Sequence, residues 1–262
     1  LFGLAVGLAL SFAVVLILEQ ADTRVRSVDD VRELVPGPVV GALPRWSQSE
    51  LKELMAGGSA APVEEAYSLA RVNLSLALRQ AANGDESLPK VVLVTSAMPG
   101  EGKSLTAAQM ARSLARAGNR VILVDADLRR PAQNEIFGTA EPVGLADVIL
   151  GRLSLDEALV AGDTENLTIL HSGTPDRNPT DLFSMPSLPR ILEELRNMAD
   201  MVILDAPACA VVADALLLAP HADCILHVVS AGVAERPVVR DAAETLAAAG
   251  PKMMVFFVNR AP

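Results

Sequence analysis

The residues of this chain that could do chemistry begin with a glycine-bearing loop near residue 100. An apolar segment runs into Pro99, Gly100 and Gly102, then into Lys103 and Ser104. Small residues let backbone N–H groups approach a phosphate closely, the lysine can reach the β and γ phosphates, and the serine hydroxyl can ligate Mg²⁺. The spacing therefore predicts a phosphate-binding loop, although Ala97 stands where the general pattern has its first glycine.

Carboxylates end two further apolar segments. Asp125 and Asp127 follow residues 121–124, and Asp205 follows residues 201–204. The carboxyl ends of parallel strands are where open α/β sheets bind ligands, and Mg²⁺ prefers oxygen ligands. We expect Asp205 and one or both of the other aspartates to lie beside the phosphate loop. The alternative for each is a helix N-cap or turn residue.

Composition excludes one class of partner. The chain has 262 residues with 22 Lys+Arg against 32 Asp+Glu, a formal charge of −10, and no basic cluster interleaved with aromatic residues. No nucleic-acid partner is therefore expected. Cys209 and Cys224 lie in apolar surroundings without C-x-x-C spacing, so buried free thiols in a reducing cytosol are expected.

The first residues predict a membrane anchor. Residues 1–18 are uncharged and apolar, and as a helix they would span roughly 27 Å, close to the hydrocarbon thickness of a bilayer. Arg24 and Arg26 follow, which places the C-terminal side in the cytoplasm. We predict a transmembrane helix over 1–20, the end of a longer membrane module, and a cytoplasmic linker over 21–62. A secretory signal peptide and a buried soluble helix are the alternatives.

The elements that must position the chemistry alternate along the remaining sequence. Residues 63–82 have helical periodicity, and from residue 90 onward apolar strands alternate with helices. This predicts an α/β domain over 63–262, a P-loop NTPase with a doubly wound, mainly parallel sheet. The predicted strands are 90–96, 120–125, 167–171, 201–205, 224–230 and 252–259, and the predicted helices are 103–117, 188–199, 211–218 and 236–249.

The sequence resembles the bacterial tyrosine kinases of capsule and exopolysaccharide synthesis, whose cytoplasmic domains follow a chain-length-determinant, or polysaccharide co-polymerase, membrane module. That family tolerates a residue other than glycine at the position of Ala97. The matching segments are Walker A (residues 95–104), Walker A′ (124–131), Walker B (205–207) and two connecting loops (144–151 and 178–182).

The resemblance implies a set of site residues for ATP and Mg²⁺. Ser104, Asp127 and Asp205 would hold the metal, and Lys103 would bind phosphate. Asp125 would help activate the accepting hydroxyl, and with Lys103 and Asp127 it makes up the expected catalytic set. The expected nucleotide contacts are Pro99, Gly100, Glu101, Gly102, Lys103, Ser104, Leu105 and Asn259, the last toward the base or merely as a turn residue.

The resemblance also implies an assembly and an acceptor. Kinases of this family carry a Glu-x-x-Arg-x-x-Arg helix that packs subunits into a ring, and here Glu65 and Arg71 match it while Ser68 replaces the first arginine. An exposed polar helix face is the alternative. The family phosphorylates a tyrosine-rich tail, whereas Tyr67 is the only tyrosine in this sequence. Either such a tail lies beyond Pro262 or the usual substrate is absent.

The leading hypothesis is a protein-tyrosine kinase, dependent on Mg²⁺ and ATP, at the bacterial inner membrane with its catalytic domain in the cytoplasm. It would regulate polysaccharide polymerisation and export, and its expected partners are further copies of the chain, the export machinery and a protein-tyrosine phosphatase. The alternative is an ATP-switched oligomerisation module without kinase activity. A partition or septum-positioning ATPase is a third hypothesis, disfavoured because Met98 stands where those proteins have a lysine.

Overall fold

The computed structural model describes residues 3, 7, 11–12, 23–45, 61–81, 90–139 and 142–261. The strands are β1 (Val39–Pro44), β2 (Val91–Ser96), β3 (Val121–Asp125), β4 (Leu159–Ala161), β5 (Leu167–Leu170), β6 (Met201–Asp205), β7 (Cys224–Ser230) and β8 (Met253–Ala261). The helices are α1 (Val28–Leu34), α2 (Ala61–Ala81), α3 (Lys103–Arg116), α4 (Gln133–Phe137), α5 (Leu145–Ile149), α6 (Leu155–Ala158), α7 (Pro179–Phe183), α8 (Ser187–Met198), α9 (Asp214–Leu218) and α10 (Arg236–Ala248).

One sheet organises these elements. Its strand order is β1-β8-β7-β2-β6-β3-β5-β4, and every neighbouring pair is parallel except β4 with β5. The predicted α/β fold with a mainly parallel sheet is confirmed. The order also places β2, with the phosphate loop at its end, between β7 and β6.

Helices cover both faces of the sheet, because the central strands are apolar on both sides. In β2, Val91 and Leu93 join one hydrophobic cluster, whereas Val92 and Val94 join the other. The first cluster includes residues of α1, α5 and α7–α10, and the second includes residues of α2 and α3. Continuous burial along strands is typical of parallel sheets.

The predicted linker, residues 21–62, needs correction over residues 23–45. These residues form α1 and β1, and β1 pairs in parallel with β8 at the sheet edge. Gly41 lets α2 approach, because a Cβ there would lie 2.6 Å from the Cβ of Ala70. Gly41 and Pro44, which in the sequence suggest a flexible connector, belong instead to an edge strand covered by a helix. Residues 46–60 lie outside the described part.

The predicted transmembrane helix over 1–20 lies outside the described residues except at Gly3, Gly7, Ser11 and Phe12. Within the described part of the chain, no helix combines the length and apolar character that crossing a membrane requires.

A histidine near the centre of the sheet is buried without a hydrogen-bond partner among the described residues. His227 in β7 is fully buried, and neither ring nitrogen hydrogen-bonds to any described residue. Burial lowers its pKa to about 4 from the ordinary 6.5. Between pH 6.5 and about pH 4, His227 is protonated in the unfolded chain but neutral in the folded chain. The unfolding free energy therefore falls as the pH falls through this window.

We predict that His227→Leu removes this acid sensitivity. The unfolding free energy of the variant minus that of the wild type should be about 2 kcal/mol larger at pH 5 than at pH 7.5. Urea denaturation at the two pH values measures this, and comparing differences cancels any repacking term that does not depend on pH. His221→Leu, at a partly exposed position, should change the pH slope much less. Identical slopes for His227→Leu and the wild type would contradict the prediction.

Candidate functional site

The phosphate loop joins the end of β2 to the start of α3. Gly100 and Gly102 have positive φ angles of 84° and 92°, a region that glycine adopts without strain. Gly102 caps α3 without a side-chain hydrogen bond, so the first N–H groups of the helix remain available to an anion. Ala97 is buried and is not among the described residues with positive φ, which explains why alanine is acceptable there.

Asn259 and Glu101 hold the loop rather than pointing into it. Asn259 in β8 donates from Nδ2 to the backbone oxygen of Glu101 at 2.8 Å. The buried Glu101 carboxylate accepts from the backbone nitrogens of Met98 at 2.7 Å and Ser230 at 3.3 Å. Burial raises the pKa of Glu101 to about 6 against these donors. Of the predicted nucleotide contacts, Glu101 can therefore offer its backbone, while its side chain ties the loop to β7.

Lys103 lies at the meeting point of the predicted charges. Its Nζ is 2.8 Å from Asp127 Oδ2, 3.0 Å from Ser104 Oγ and 3.7 Å from Asp205 Oδ1. Burial by itself would lower the pKa of Lys103, but Asp205 and Asp127 raise it above its ordinary value. The structure thus brings together the lysine, the serine and two carboxylates that the sequence predicts for one site.

Asp205 is held in place by Gln133, a residue that the sequence motifs do not single out. Its Oδ2 accepts from Gln133 Nε2 at 2.8 Å, and Gln133 also donates to the backbone oxygen of Ser104 at 3.1 Å. Oδ1 accepts no well-aligned hydrogen bond from a described residue. Burial raises the pKa of Asp205, although Lys103, Gln133 and Ser104 favour its charged form. Only the position of Gln133 just after the Walker A′ segment could have indicated this role.

Asp125 is placed differently from the expectation that it activates the accepting hydroxyl. It is fully buried beside Asp205 in register, and three backbone N–H groups donate to its carboxylate, from Asp127 at 3.2 Å, Ala132 at 3.2 Å and Gln133 at 3.0 Å. Burial and the charge of Asp205 raise its pKa to about 8. In this geometry Asp125 orders the loop that carries Asp127 and does not reach the cavity.

The donor set fits a magnesium ion held together with a phosphate. No group of three or more His, Cys, Asp or Glu side chains among the described residues could hold a metal by itself. Mg²⁺, however, is usually bound by one or two carboxylates together with substrate phosphates and water. Asp127, Asp205 and the Ser104 hydroxyl supply that number of oxygens beside the phosphate loop.

A cavity of about 500 Å³ opens beside these groups. Its walls come from the phosphate loop, the loop after β3 and the loop after β6. The lining residues are Pro99, Gly100, Gly102, Lys103, Ser104, Leu105, Asp127, Arg129, Arg130, Pro207, Ala208, Val211 and Val212. Most of the predicted nucleotide contacts therefore line this cavity, whereas Glu101 and Asn259 do not line it and hold the phosphate loop in place by hydrogen bonds.

Arg129 is engaged in a clamp between two loops, a role that sequence reasoning missed. It donates to Asp214 from Nε at 2.6 Å and from Nη2 at 3.1 Å, and to Thr180 Oγ1 at 2.8 Å. Thr180 Oγ1 also donates to Asp214 at 2.8 Å, and Asp214 is completely buried. Bidentate pairing fixes the arginine in place, so Arg129 joins the loop after β3 to α7 and α9.

Comparison with known proteins agrees with this geometry. The family model of the CobQ/CobB/MinD/ParA nucleotide binding domain matches residues 92–258. Tyrosine-protein kinase YwqD of Bacillus subtilis (strain 168) is 37% identical over 195 residues, 74% of this chain and 80% of YwqD. The chain belongs to the bacterial tyrosine-protein kinases of this nucleotide-binding family. The resemblance seen in the Walker segments is thereby confirmed.

Two further comparisons extend the likeness. Succinoglycan biosynthesis transport protein ExoP of Rhizobium meliloti (strain 1021) is 34% identical over 191 residues, 72% of this chain but only 24% of ExoP. The crystal structure of the chimerical protein CapA2B2 superposes with a TM-score of 0.79 at 26% identity, covering 89% of this chain and 99% of that one. The shared fold therefore includes elements outside the matched family model.

We predict that the two glycines of the loop respond differently to alanine. Both have positive φ, but a Cβ at Gly102 would lie 2.3 Å from Asn259 Nδ2, whereas a Cβ at Gly100 meets nothing within 4 Å. Gly100→Ala should cost about 1 kcal/mol from backbone strain alone, and Gly102→Ala should cost more and displace Asn259. Thermal unfolding measures the difference. Asn259→Ala should partly rescue Gly102→Ala, and equal costs at both glycines would contradict the clash.

We also predict strong coupling within the Arg129–Asp214 clamp. Arg129→Met leaves the buried Asp214 carboxylate without its cation and should cost about 3 kcal/mol of unfolding free energy. The double variant with Asp214→Asn should cost less than the sum of the single changes. Urea denaturation of the four proteins measures the coupling. Arg120→Met, in an exposed pair with Asp200, is the matched control and should have a much smaller effect. Additive costs would show that the clamp carries no coupling.

Proposed function

We propose that this chain carries the Mg²⁺-ATP-dependent catalytic domain of a protein-tyrosine kinase. The observation that carries this proposal is the convergence of Lys103, Ser104, Asp127 and Asp205 at the phosphate loop, next to one cavity, in a chain of the tyrosine-protein kinase family. ATP is the phosphoryl donor that a P-loop of this type accommodates.

The geometry performs phosphoryl transfer chiefly by positioning and charge. The N–H groups at the start of α3 and the Lys103 ammonium would bind the β and γ phosphates, and Ser104, Asp127 and Asp205 would hold a magnesium ion. When bound, that ion would neutralise charge on the γ-phosphoryl group. The phenolic oxygen forms the new bond to phosphorus, the bond to the β-phosphate oxygen breaks, ADP leaves, and the phenolic proton passes to solvent. A loose transition state needs little help from a base, so the buried position of Asp125 is no obstacle.

The acceptor tyrosine in this proposal comes from outside the domain core. Tyr67 is the only tyrosine of the sequence, and only 2% of it is exposed. Its ring stacks on Phe257, with centroids 5.4 Å apart and planes 8° from parallel. A ring packed in this way cannot enter the cavity without unfolding α2, so the substrate is a tyrosine of another segment or another protein.

Assembly and location follow the same proposal. Glu65 is exposed on α2, and the apolar residues Leu69, Val72 and Leu76 line the same helix with exposed side chains. Together with Arg71, this surface supports packing against a second copy in a homo-oligomeric ring. The apolar residues 1–18 support an anchor in the bacterial inner membrane with the catalytic domain in the cytoplasm. The name of ExoP supports a role in polysaccharide polymerisation and export, and a protein-tyrosine phosphatase would reverse the modification.

An ATP-switched oligomerisation module without kinase activity is the second candidate. It is favoured by the buried position of the only tyrosine and by Ser68, which stands where the ring motif has an arginine. In that case nucleotide binding at the same site would control assembly alone.

We predict that Lys103→Met abolishes phosphotransfer. With Mg²⁺-ATP and a tyrosine-bearing partner protein, the wild type should produce phosphotyrosine, and the variant should lose at least about 100-fold in rate because the β and γ phosphates lose their cation. Lys252→Met, at a lysine whose side chain is 71% exposed, should keep the activity. Anti-phosphotyrosine blotting measures both. ATP binding without phosphotyrosine in the wild type, combined with ATP-dependent oligomerisation, would favour the second candidate.

A further inference from the structure

The cavity beside the phosphate loop has two walls of different chemistry. Asp127, Arg129 and Arg130 form one wall, whereas Pro207, Ala208, Val211 and Val212 form the other. Val211 is 56% exposed. A single exposed valine needs no explanation, but these four lining residues together have no polar side-chain atom and make an apolar surface directly beside a phosphate site.

The strand order places this apolar wall on one side of the phosphate loop. β6 and β3 lie on that side of β2, while β7 and β8 lie on the other. Asn259 of β8 grips the loop from the opposite side through the backbone of Glu101. Among the described residues, none from β7, β8 or their loops lines the cavity. A nucleoside beside Asn259 would therefore leave the apolar wall free for the group that receives the phosphoryl group.

The chemistry of the wall matches an aromatic acceptor. A tyrosine must bring its phenolic oxygen to the γ-phosphate, and its ring then gains free energy by leaving water for an apolar surface. A serine or threonine side chain is too short to cover that surface and would leave it exposed to water. The wall can thus distinguish tyrosine from serine and threonine by the aromatic ring that carries the hydroxyl group.

The wall is held at a fixed distance from the phosphate loop and the metal-binding carboxylates. The backbone nitrogens of Cys209 and Ala210 donate to the backbone oxygens of Ser96 at 2.9 Å and Ala97 at 3.2 Å. Asp214, three residues beyond Val211, is gripped by Arg129 of the opposite wall. Because this surface is ordered before the substrate binds, little conformational entropy is lost on binding.

We infer that Pro207, Val211 and Val212 form the acceptor subsite, which binds the aromatic ring of the substrate tyrosine and selects it over serine and threonine. This inference rests on the proposed kinase function and specifies which part of the same cavity recognises the acceptor.

Val211→Asp tests this subsite, with Val233→Asp as the matched control. Val233 is 42% exposed but does not line the cavity. In the full chain with Mg²⁺-ATP and a tyrosine peptide, Val211→Asp should raise the peptide KM about tenfold, because a charged group replaces the apolar contact. The Kd for ATP should stay within twofold. Val233→Asp should leave both constants unchanged, and Val211→Ile, which keeps the apolar contact, should leave the peptide KM near that of the wild type.

A binding measurement separates this inference from the proposed function. In the Mg²⁺-ADP complex of the methyl-labelled full chain, the Val211 and Val212 methyl resonances should shift with the tyrosine peptide and not with the same peptide carrying alanine. That result would support the subsite even if the wild type transferred no phosphate, which would count against the kinase activity alone. The subsite is overturned if the methyl groups do not respond, if the peptide KM of Val211→Asp is unchanged, or if that variant mainly loses ATP affinity.

Discussion

The attraction between the Lys103 ammonium and the carboxylates of Asp127 and Asp205 is the interaction on which the site depends. Asp125, Asp127 and Asp205 lie at the ends of two neighbouring strands, and Lys103 forms ion pairs with two of them, Asp127 and Asp205. Buried charges that outnumber their partners are costly. Part of this imbalance is relieved by the raised pKa of Asp125, which favours its protonated form. The remaining deficit of positive charge is what a magnesium ion would supply, so the electrostatics of this cluster favour a bound cation.

The fold predicted from the sequence is correct where burial is continuous. β2, β3, β6 and β7 are short apolar runs covered on both faces, and such runs can be recognised without knowing their neighbours. β1 was not recognisable in this way, because its partners β8 and α2 lie far along the chain and its glycine makes sense only against Ala70. The helices α4 to α7 have four or five residues each, too few to establish a helical period. Local patterns thus predict the centre of the sheet better than its edges.

For the site, the sequence predicts which residues come together better than it predicts the contacts that each side chain makes. The motifs predict that Lys103, Ser104, Asp127 and Asp205 meet, and they do. They do not predict that Glu101 turns inward to hold the loop or that backbone donors surround Asp125. Those outcomes depend on side chains and N–H groups brought in by other elements. Gln133, Asn259 and Asp214 act through such long-range contacts, which have no fixed spacing in the sequence.

The order of the strands divides the work of the cavity. Contacts from β7 and β8 hold the phosphate loop from one side, through Ser230 and Asn259. The loops after β3 and β6 form the other side, where Asp127 and two arginines lie opposite an apolar wall. Because the phosphate loop lies between these sides, the side chains that hold this loop belong to β7 and β8, whereas the apolar wall inferred to receive the acceptor follows β6. Changes in the loop after β6 would therefore alter which acceptor is recognised while Lys103 and Ser104, carried by α3, keep their positions.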